Sequence, residues 1–422
     1  MTKIQKNVAT YAMLIALCLT IGNKEFYKEK SEKFIEVSAQ ELSNFSNENE
    51  ESSEDYVFTA SEKPANLNLS AKSAFVFEPF TGTVIYSHEE EKRLPIASMC
   101  KIMTLLLCFD EIERGNLSFD EEITVSEHAS SMGGSQVFLE ENAKYPVKEL
   151  IKSIAVCSAN DSCVAMVERI SGSESVFTDK MNEKAKELGA DNTLFANCTG
   201  LPKEPQYSCA KDVAIMLRAL LNHEEYYKFG QVWMDKFQHP KGRITEISNT
   251  NKLVRFYEGC DGGKTGFTNQ AGFCLAATAK RNDMRIISVV IGESDSKTRF
   301  NDVRTTFDYA FANYTMKTAV DSKNPLEKRA TVSGGKEKTV AIKPVRDSKI
   351  FSKLGVETGY SMEIQLKNSI KAPIKQGDIL GELVVYRDNV EVDRIQLAAN
   401  EKVEKATLFD RLKDVANGWS LK

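Results

Sequence analysis

Three short polar motifs follow one another along the chain, and together they could perform nucleophilic catalysis. They are Ser98-Met99-Cys100-Lys101, Ser158-Ala159-Asn160 and Lys264-Thr265-Gly266. Residues three apart share a helix face, so Lys101 can bring its amine within hydrogen-bonding reach of the Ser98 hydroxyl. A serine hydroxyl attacks a carbonyl only when a nearby base removes its proton, and a neutral lysine can be that base. The first motif therefore predicts Ser98 as nucleophile and Lys101 as its base.

The spacing of the first motif is not specific by itself. The same Ser-x-x-Lys pattern begins at Ser208, Ser294 and Ser333. An isolated serine at a helix start is most simply an N-cap. Only Ser98 opens a strongly apolar helical segment and is followed by both other motifs in order. Its context, rather than its spacing, therefore selects Ser98.

A lysine base has to be neutral, whereas a free lysine titrates near about 10.4. Burial in the apolar helix and a second cation, Lys264, would both lower the pKa of Lys101. The helix N-terminus at Ser98 directs backbone N–H groups toward a developing oxyanion. We therefore assign the oxyanion hole to the backbone N–H groups of Ser98 and Phe267.

The second motif would assist the departure of the leaving group. Ser158 can relay a proton between Lys101 and the leaving amine, and the Asn160 amide can hold a substrate carbonyl together with Lys101. Asp161 follows directly. We interpret it as a helix cap or a surface charge rather than as a catalytic acid.

The third motif would bind the end of a substrate. Lys264 and Thr265 offer a charge and a hydroxyl to a terminal carboxylate, and Gly266 would let a peptide lie close to the strand. Lys264 as a solvated strand residue is the plainer alternative. The glycines on both sides argue against it, since they make close backbone approach easy.

The segments around these motifs predict a mixed α/β (α+β) domain whose terminal strands share one sheet. Two β-prone runs, 74–77 and 83–86, predict a hairpin. The helix from Ser98 to Phe109 is apolar almost all round, so we expect it inside the domain. Further helices are predicted at 147–156, 161–170 and 210–221, and further strands at 272–280 and 285–291.

Beyond Asp321 short strand-like segments alternate with turns and predict a small all-β sandwich domain. In the tail, Leu408, Phe409 and Trp419 recur at helical spacing. This amphipathic helix would pack on the β domain or touch a membrane. The predicted organisation is a signal peptide or N-terminal anchor at 1–22, a flexible acidic and Ser/Asn-rich spacer at 23–72, a catalytic domain at 73–315, the β-sandwich at 322–400 and the tail helix at 401–422.

The N-terminus carries features of an exported protein. Lys3 and Lys6 precede an apolar run, 8–21, that is short for a transmembrane helix. The chain has 422 residues, enough for more than one domain. Its net charge is only -5, with Lys and Arg spread along the chain, so a nucleic-acid partner is not expected.

Cysteine and histidine usage predicts neither a metal site nor a cofactor. The four histidines form no HExxH or HxxxH pattern, and the nine cysteines form no CxxC pair. A chain of this size folds without disulfides, so most cysteines are predicted to be buried apolar residues. Cys198 and Cys209 are the pair to test first for a disulfide.

Four segments resemble the low-molecular-weight penicillin-binding D-alanyl-D-alanine carboxypeptidases: 94–104, 133–139, 158–161 and 261–268. The resemblance is strong over 73–314 and weaker beyond. It implies a β-lactamase/transpeptidase-like catalytic domain, a β-sandwich stalk and a membrane-associated C-terminal helix. It also implies removal of the terminal D-alanine from peptidoglycan stem peptides through a Ser98 acyl-enzyme outside the cytoplasmic membrane, with β-lactams as covalent inhibitors. Cys100 and Cys157 depart from the usual pattern.

Alternatives within the same chemistry are a serine β-lactamase and a DD-endopeptidase, and a catalytically silent cell-wall-binding protein is an alternative of another class. The complete set of motifs argues against silence. Class A β-lactamases deacylate with a glutamate between the second and third motifs. Residues 191–201 contain no Glu, and Glu204 lies beyond them. The sequence therefore predicts slow release of penicillin and faster turnover of a D-Ala-D-Ala peptide.

Overall fold

The computed structural model describes residues 58–60, 65–355, 359–387 and 390–410. The predicted signal or anchor, most of the predicted spacer and the tail beyond Asp410 lie outside the described residues. In the described ranges, none of the helices combines the length and the apolar character needed to span a membrane.

A six-stranded sheet contains strands from both ends of the catalytic part of the chain. Only the outermost pair, formed by the first and third strands, is parallel. The predicted hairpin and the predicted sharing of one sheet are both confirmed. Across the sheet the order is β1 (Thr59–Ala60), β3 (Thr83–His88), β2 (Ser73–Glu78), β10 (Met284–Glu293), β9 (Gly272–Arg281) and β8 (Cys260–Thr268).

Helices cover the sheet, and four of them were predicted from apolar periodicity. In the helix Lys101–Glu113 (α1), every residue from Lys101 to Phe109 is buried, as its lack of a polar face predicted. Two long helices, α5 (Glu174–Glu187) and α9 (Ser296–Asn313), were not predicted. In α5, Phe177, Met181 and Ala185 nevertheless recur every four residues on its buried face. The helices are α1 (Lys101–Glu113), α3 (Val147–Cys157), α4 (Asn160–Ser171), α5 (Glu174–Glu187), α6 (Ala210–Leu220) and α9 (Ser296–Asn313), with short elements β4 (Glu122–Thr124), α2 (Glu127–Ser130), β5 (Lys144–Pro146), α7 (Tyr227–Gly230), β6 (Met234–Gln238), β7 (Ile244–Ser248) and α8 (Leu253–Phe256).

The predicted C-terminal boundary of the spacer, residue 72, is wrong, because the last residues of the spacer belong to the folded core. Ala65 and Ala71 are buried in the cluster formed by the sheet and α9, and Leu67 and Leu69 pack against that cluster. Composition alone suggested a flexible segment. The alternation of apolar residues at every second position is the signal that composition hides.

The C-terminal part is all-β, as predicted. Its core contains Val340, Ile342, Leu383 and Ile395, which lie on three neighbouring strands of one sheet. The first strand follows α9 directly, and its Tyr314 ring stacks on a ring of the partner strand at 4.9 Å between centroids. One sheet has the order β12 (Arg329–Thr331), β13 (Thr339–Pro344), β17 (Val390–Ala399), β16 (Ile379–Arg387) and β15 (Tyr360–Leu366), and a second sheet pairs β11 (Tyr314–Val320) with β14 (Ser348–Lys353).

Candidate active site

Ser98 lies in a 3₁₀ turn, Ala97–Cys100, immediately before α1. The preceding residue, Ala97, has a φ of +47°, a conformation that residues with a Cβ rarely adopt. Lys101 begins α1 and is fully buried. Its Nζ donates to Ser98 Oγ at 3.2 Å and to the carbonyl oxygen of Thr199 at 2.5 Å. The structure thus brings the two residues together as their spacing predicts.

Both lysines of the site are held in conditions that favour the neutral amine. Burial lowers the pKa of Lys101. Burial and, next, the charge of Lys101 lower the pKa of Lys264 far below its usual value. Lys264 is only 1% exposed, and its Nζ donates to the carbonyl oxygen of Thr265 at 3.1 Å. Because two neighbouring ammonium groups repel each other, the neutral form of one of the pair, which can act as a base, is easier to reach than in a free lysine.

A loop that sequence reasoning missed fixes the Lys101 amine. Asn197 Oδ1 accepts hydrogen bonds from the N–H groups of Thr199 at 3.2 Å and Gly200 at 2.7 Å, and its Nδ2 donates to the Leu201 carbonyl at 2.8 Å. This side-chain turn aims the Thr199 carbonyl at Lys101. An Asn three residues before a Gly is the local signal that was available.

Two glycines allow the backbone to close around the nucleophile. A Cβ on Gly200, whose φ is +79°, would lie 2.0 Å from the carbonyl oxygen of Ala97. A Cβ on Gly266 would lie 2.5 Å from the carbonyl oxygen of Ile96. Gly266 therefore makes room for the segment that bears Ser98. This is a different close approach from the substrate contact predicted for it.

The second motif sits between two helices. Ser158 ends α3 in the left-handed conformation, with φ of +67°. Its Oγ and the Asn160 Oδ1 are buried and accept or donate no hydrogen bond among the described residues. The Asn160 Nδ2 donates to the Gly133 carbonyl at 2.7 Å. Ser158 Oγ is thereby left for the predicted proton relay, and Asn160 Oδ1, which can only accept, is left for a donor such as the Lys101 amine. The predicted binding of a substrate carbonyl would have to use the second N–H of Asn160 Nδ2.

Asp161 is not a surface charge, because it is completely buried. Its carboxylate accepts hydrogen bonds from the backbone N–H groups of Val137 at 3.1 Å and Leu139 at 3.0 Å. It also accepts from the N–H of Ser162 in the first turn of α4. Asp161 therefore ties the 133–139 loop to the helix that carries Asn160.

The third motif lies on β8 with a further cation beneath it. Thr265 is 7% exposed, whereas the Phe267 side chain is half exposed and packs on another aromatic ring. Arg299 of α9 donates from Nη1 to the carbonyl oxygens of Gly266 at 3.3 Å and Cys274 at 3.2 Å. Burial lowers the pKa of Arg299 to about 10. Sequence reasoning missed Arg299, since nothing near it in the sequence marks a contact with β8.

The eight described cysteines are free thiols, and seven of them are buried. Cys198 and Cys209 form no disulfide. Cys198 Sγ donates to a carboxylate oxygen of Glu174, and Cys209 caps α6. Cys100, in the first motif, donates to the carbonyl oxygen of Asn197 at 3.2 Å. The unusual cysteine thus supports the loop behind Lys101.

Comparisons with known proteins agree with this geometry. Residues 57–295 match the peptidase S11 family model, described as D-alanyl-D-alanine carboxypeptidase, and 314–405 match that of the penicillin-binding protein 5 C-terminal domain. Over 359 residues the chain is 41% identical to the D-alanyl-D-alanine carboxypeptidase DacF of Bacillus subtilis, covering 85% of this chain and 92% of that protein.

Solved structures show the same architecture. Penicillin-binding protein 5 from Haemophilus influenzae superposes with a TM-score of 0.67 at 26% identity, over 81% of this chain and 100% of that one. The ampicillin-bound penicillin-binding protein D2 of Listeria monocytogenes gives 0.53 at 29% identity, over 58% and 100%. The predicted fold and activity are confirmed. The chain therefore belongs to the peptidase S11 family, and it is a low-molecular-weight penicillin-binding protein with the D-alanyl-D-alanine carboxypeptidase activity of a serine hydrolase.

Proposed function

We propose that Ser98 is the nucleophile of this carboxypeptidase, that Lys101 is its base, and that its substrate is a peptidoglycan stem peptide ending in D-Ala-D-Ala. The observation that carries the proposal is the 3.2 Å hydrogen bond between Lys101 Nζ and Ser98 Oγ. Burial lowers the pKa of that amine, so the neutral form needed by a base is accessible.

In the acylation step Lys101 Nζ takes the Ser98 proton while Oγ forms a bond to the scissile carbonyl carbon. The carbonyl π electrons move to oxygen, where the N–H groups of Ser98 and Phe267 would stabilise the negative charge. When the carbon–nitrogen bond breaks, Ser158 would pass the proton from Lys101 to the leaving amine. Asn160 would hold the substrate amide meanwhile. The products are free D-alanine and an ester on Ser98.

The carboxylate of the departing D-alanine would lie against the third motif. Lys264 and Thr265 supply an amine and a hydroxyl there, and the incoming carboxylate would itself favour the protonated form of that amine. Arg299 adds positive charge beneath the strand. Once D-alanine has left, water attacks the ester and the acid is released, which restores the Ser98 proton. A β-lactam keeps its leaving group tethered to the acyl group, so it blocks this water and inhibits the enzyme.

Mass spectrometry of the intact protein tests these assignments. We expect one penicillin adduct, which peptide mapping places on Ser98, and release of D-alanine from a diacylated Lys-D-Ala-D-Ala peptide. Ser98→Ala should remove both signals without changing the melting temperature, since it deletes one oxygen and almost no volume. An adduct on Ser208, Ser294 or Ser333 would contradict the assignment.

We also propose that the chain is exported to the outer face of the cytoplasmic membrane. Lys3 and Lys6 before the apolar run 8–21 support export, as does a substrate that belongs to the cell wall. Fractionation of cells that produce the full chain tests this. Recovery in the cytoplasm would contradict it.

Membrane contact through the tail is a separate part of the proposal. Leu408 and Phe409 are about three-quarters exposed, at 76% and 77%. Exposed apolar side chains of this size favour an interfacial site. Deletion from Thr407 onward should release the protein from membranes. Retention after the deletion would assign the anchor to the N-terminal segment instead.

A further inference from the structure

A pocket opens next to the nucleophile, between the 200–206 loop and the end of β8. Ala97 and Gly200 form its inner wall beside Ser98, and Thr268 and Gln270 form the side that continues β8. Lys203 and Glu204 lie on the loop side. None of these four side chains, at positions 203, 204, 268 and 270, has a role in the acylation chemistry described above.

The order of groups along β8 shows which part of a substrate would reach this pocket. In the proposed function, Lys264 and Thr265 take the terminal carboxylate, and the N–H of Phe267 takes the scissile carbonyl oxygen. A peptide extended along the strand advances by one residue for each strand residue, about 3.3 Å. The peptide on the acyl side of the scissile bond therefore continues past Phe267 toward Thr268 and the following turn.

The mouth of the pocket carries an oriented carboxylate. Gln270 Nε2 donates to Glu204 Oε1 at 3.3 Å, which links the loop to the β8–β9 turn across the opening. The Thr268 hydroxyl accepts from the N–H of Ala271 at 3.0 Å and so fixes that turn. Glu204 is exposed, and its contact with Gln270 is a hydrogen bond to a neutral amide rather than an ion pair. Its charge is available to a ligand.

The base of the loop is also fixed. Gln206 Oε1 accepts from the N–H groups of Ala196 at 2.9 Å and Asn197 at 3.0 Å. Asn197 in turn positions the loop that holds Lys101. The pocket and the loop behind Lys101 are thus built on the same short segment. A substrate side chain that lies over the pocket would therefore be held at a fixed distance from Ser98.

We propose that the side chain of the residue that precedes the two D-alanines lies over the mouth of this pocket, and that Glu204 receives a terminal ammonium group carried by that side chain. An ammonium has three donors and no acceptor, so a carboxylate held in place by an amide is a suitable partner. The inference rests on the proposed function, because that function sets the direction of the peptide. Lys203, on the same loop, would weaken the attraction through like charge.

Two peptides that differ only in the amine test the proposal: Nα-acetyl-L-Lys-D-Ala-D-Ala and its Nα,Nε-diacetyl form. The measurement is kcat/KM for release of D-alanine at low ionic strength. We expect the free amine to be preferred by about three- to fivefold, the upper part of the range of a solvent-accessible ion pair. Glu204→Gln should bring the ratio to about one, and Gln270→Ala should lower it, since the carboxylate loses its orientation.

Two further variants separate this effect from general loss of charge. Lys203→Gln should raise the ratio, because it removes the like charge. Glu258→Gln, an exposed carboxylate just before the opposite end of β8, should leave the ratio unchanged. A wild-type ratio of about one, a ratio that survives Glu204→Gln, or equal decreases in the variants at 203 and 204 would overturn the pocket assignment. Failure to release D-alanine from either peptide would instead contradict the proposed function.

Discussion

The substitution Gly200→Ala tests whether the loop behind Lys101, which Asn197 fixes, positions the nucleophile. The Gly200 φ of +79° is in the left-handed region, and a Cβ there would lie 2.0 Å from the carbonyl oxygen of Ala97 and 2.9 Å from the backbone nitrogen of Ser98. Both contacts are with backbone, so no side-chain rotation can relieve them. Gly200→Ala must displace the loop, the segment that bears Ser98, or both.

The size of the effect follows from the distances. An ordinary contact to carbon needs about 3.4 Å or more, so the Gly200 loop and Ala97 have to separate by about 1.4 Å in all, shared between the two segments. Misplacement of a reacting group by about 1 Å can cost on the order of 100-fold in rate. The left-handed backbone adds about 1–2 kcal/mol of strain for any residue with a Cβ. We therefore expect penicillin acylation to slow by about two orders of magnitude.

Gly172 supplies a matched control. It ends α4 with φ of +74°, and a Cβ there would meet nothing within 4 Å. Gly172→Ala thus carries the same backbone strain without the clash, and should lower the melting temperature by a few degrees, at about 2–4 °C per kcal/mol for a domain of this size. Its acylation rate, measured with a fluorescent penicillin, should equal that of the wild type. Equal rates in the two variants would refute the positioning role of the loop.

Three other predictions concern charge. Lys264→Ala should lower kcat/KM by roughly 10- to 100-fold for a peptide with a free terminal carboxylate, but by less for the corresponding amide. Equal losses for the two peptides would mean that Lys264 acts by lowering the pKa of Lys101 instead. Because burial lowers the pKa of Lys101, the penicillin acylation rate should rise with pH to a plateau that begins below the usual lysine pKa, and a rate independent of pH would exclude Lys101 as the base. Burial of Glu293 and the adjacent Asp302 carboxylate raise the Glu293 pKa from 4.5 to about 8, so the stability that this group contributes by staying protonated is fully present below about pH 4.5 and is lost as pH rises through about 8. The wild type should therefore lose up to roughly 4 kcal/mol of unfolding free energy through Glu293 between about pH 5 and pH 9. Glu293→Gln, which does not titrate, should lack this loss in thermal melts, and an unchanged pH dependence would contradict the assignment.

The parts of the site that sequence could predict are those coded by neighbours in the chain. Ser98 and Lys101 are three residues apart on one helical segment, so a local rule brings them together. The apolar run to Phe109 predicts that its helix is buried, and the alternation of apolar residues in β9 predicts a strand. Each of these inferences uses residues within one helix or strand, where the periodicity of apolar residues indicates which side chains are buried.

Contacts between distant segments could not be predicted in this way. Arg299 reaches the carbonyl oxygen of Gly266 from another element, and the Thr199 carbonyl reaches Lys101 across 98 positions. The interpretation of Asp161 as a helix cap or a surface charge is wrong in its second alternative, because a carboxylate next to an asparagine has no local sign of burial. Its backbone partners, Val137 and Leu139, come from a loop on the N-terminal side of α3. Only the packed fold makes these pairs neighbours.

The 3₁₀ turn at Ser98 explains why the Ser-x-x-Lys spacing succeeds here. In a 3₁₀ helix residues i and i+3 eclipse one another, whereas in an α-helix they are offset around the axis. The turn ends at Cys100 and α1 begins at Lys101, so the two side chains meet at the junction of the two geometries. The left-handed φ of Ala97 starts this turn, and Gly200 leaves the space that it needs. The short motif therefore depends on a backbone strain that the surrounding loop has to maintain.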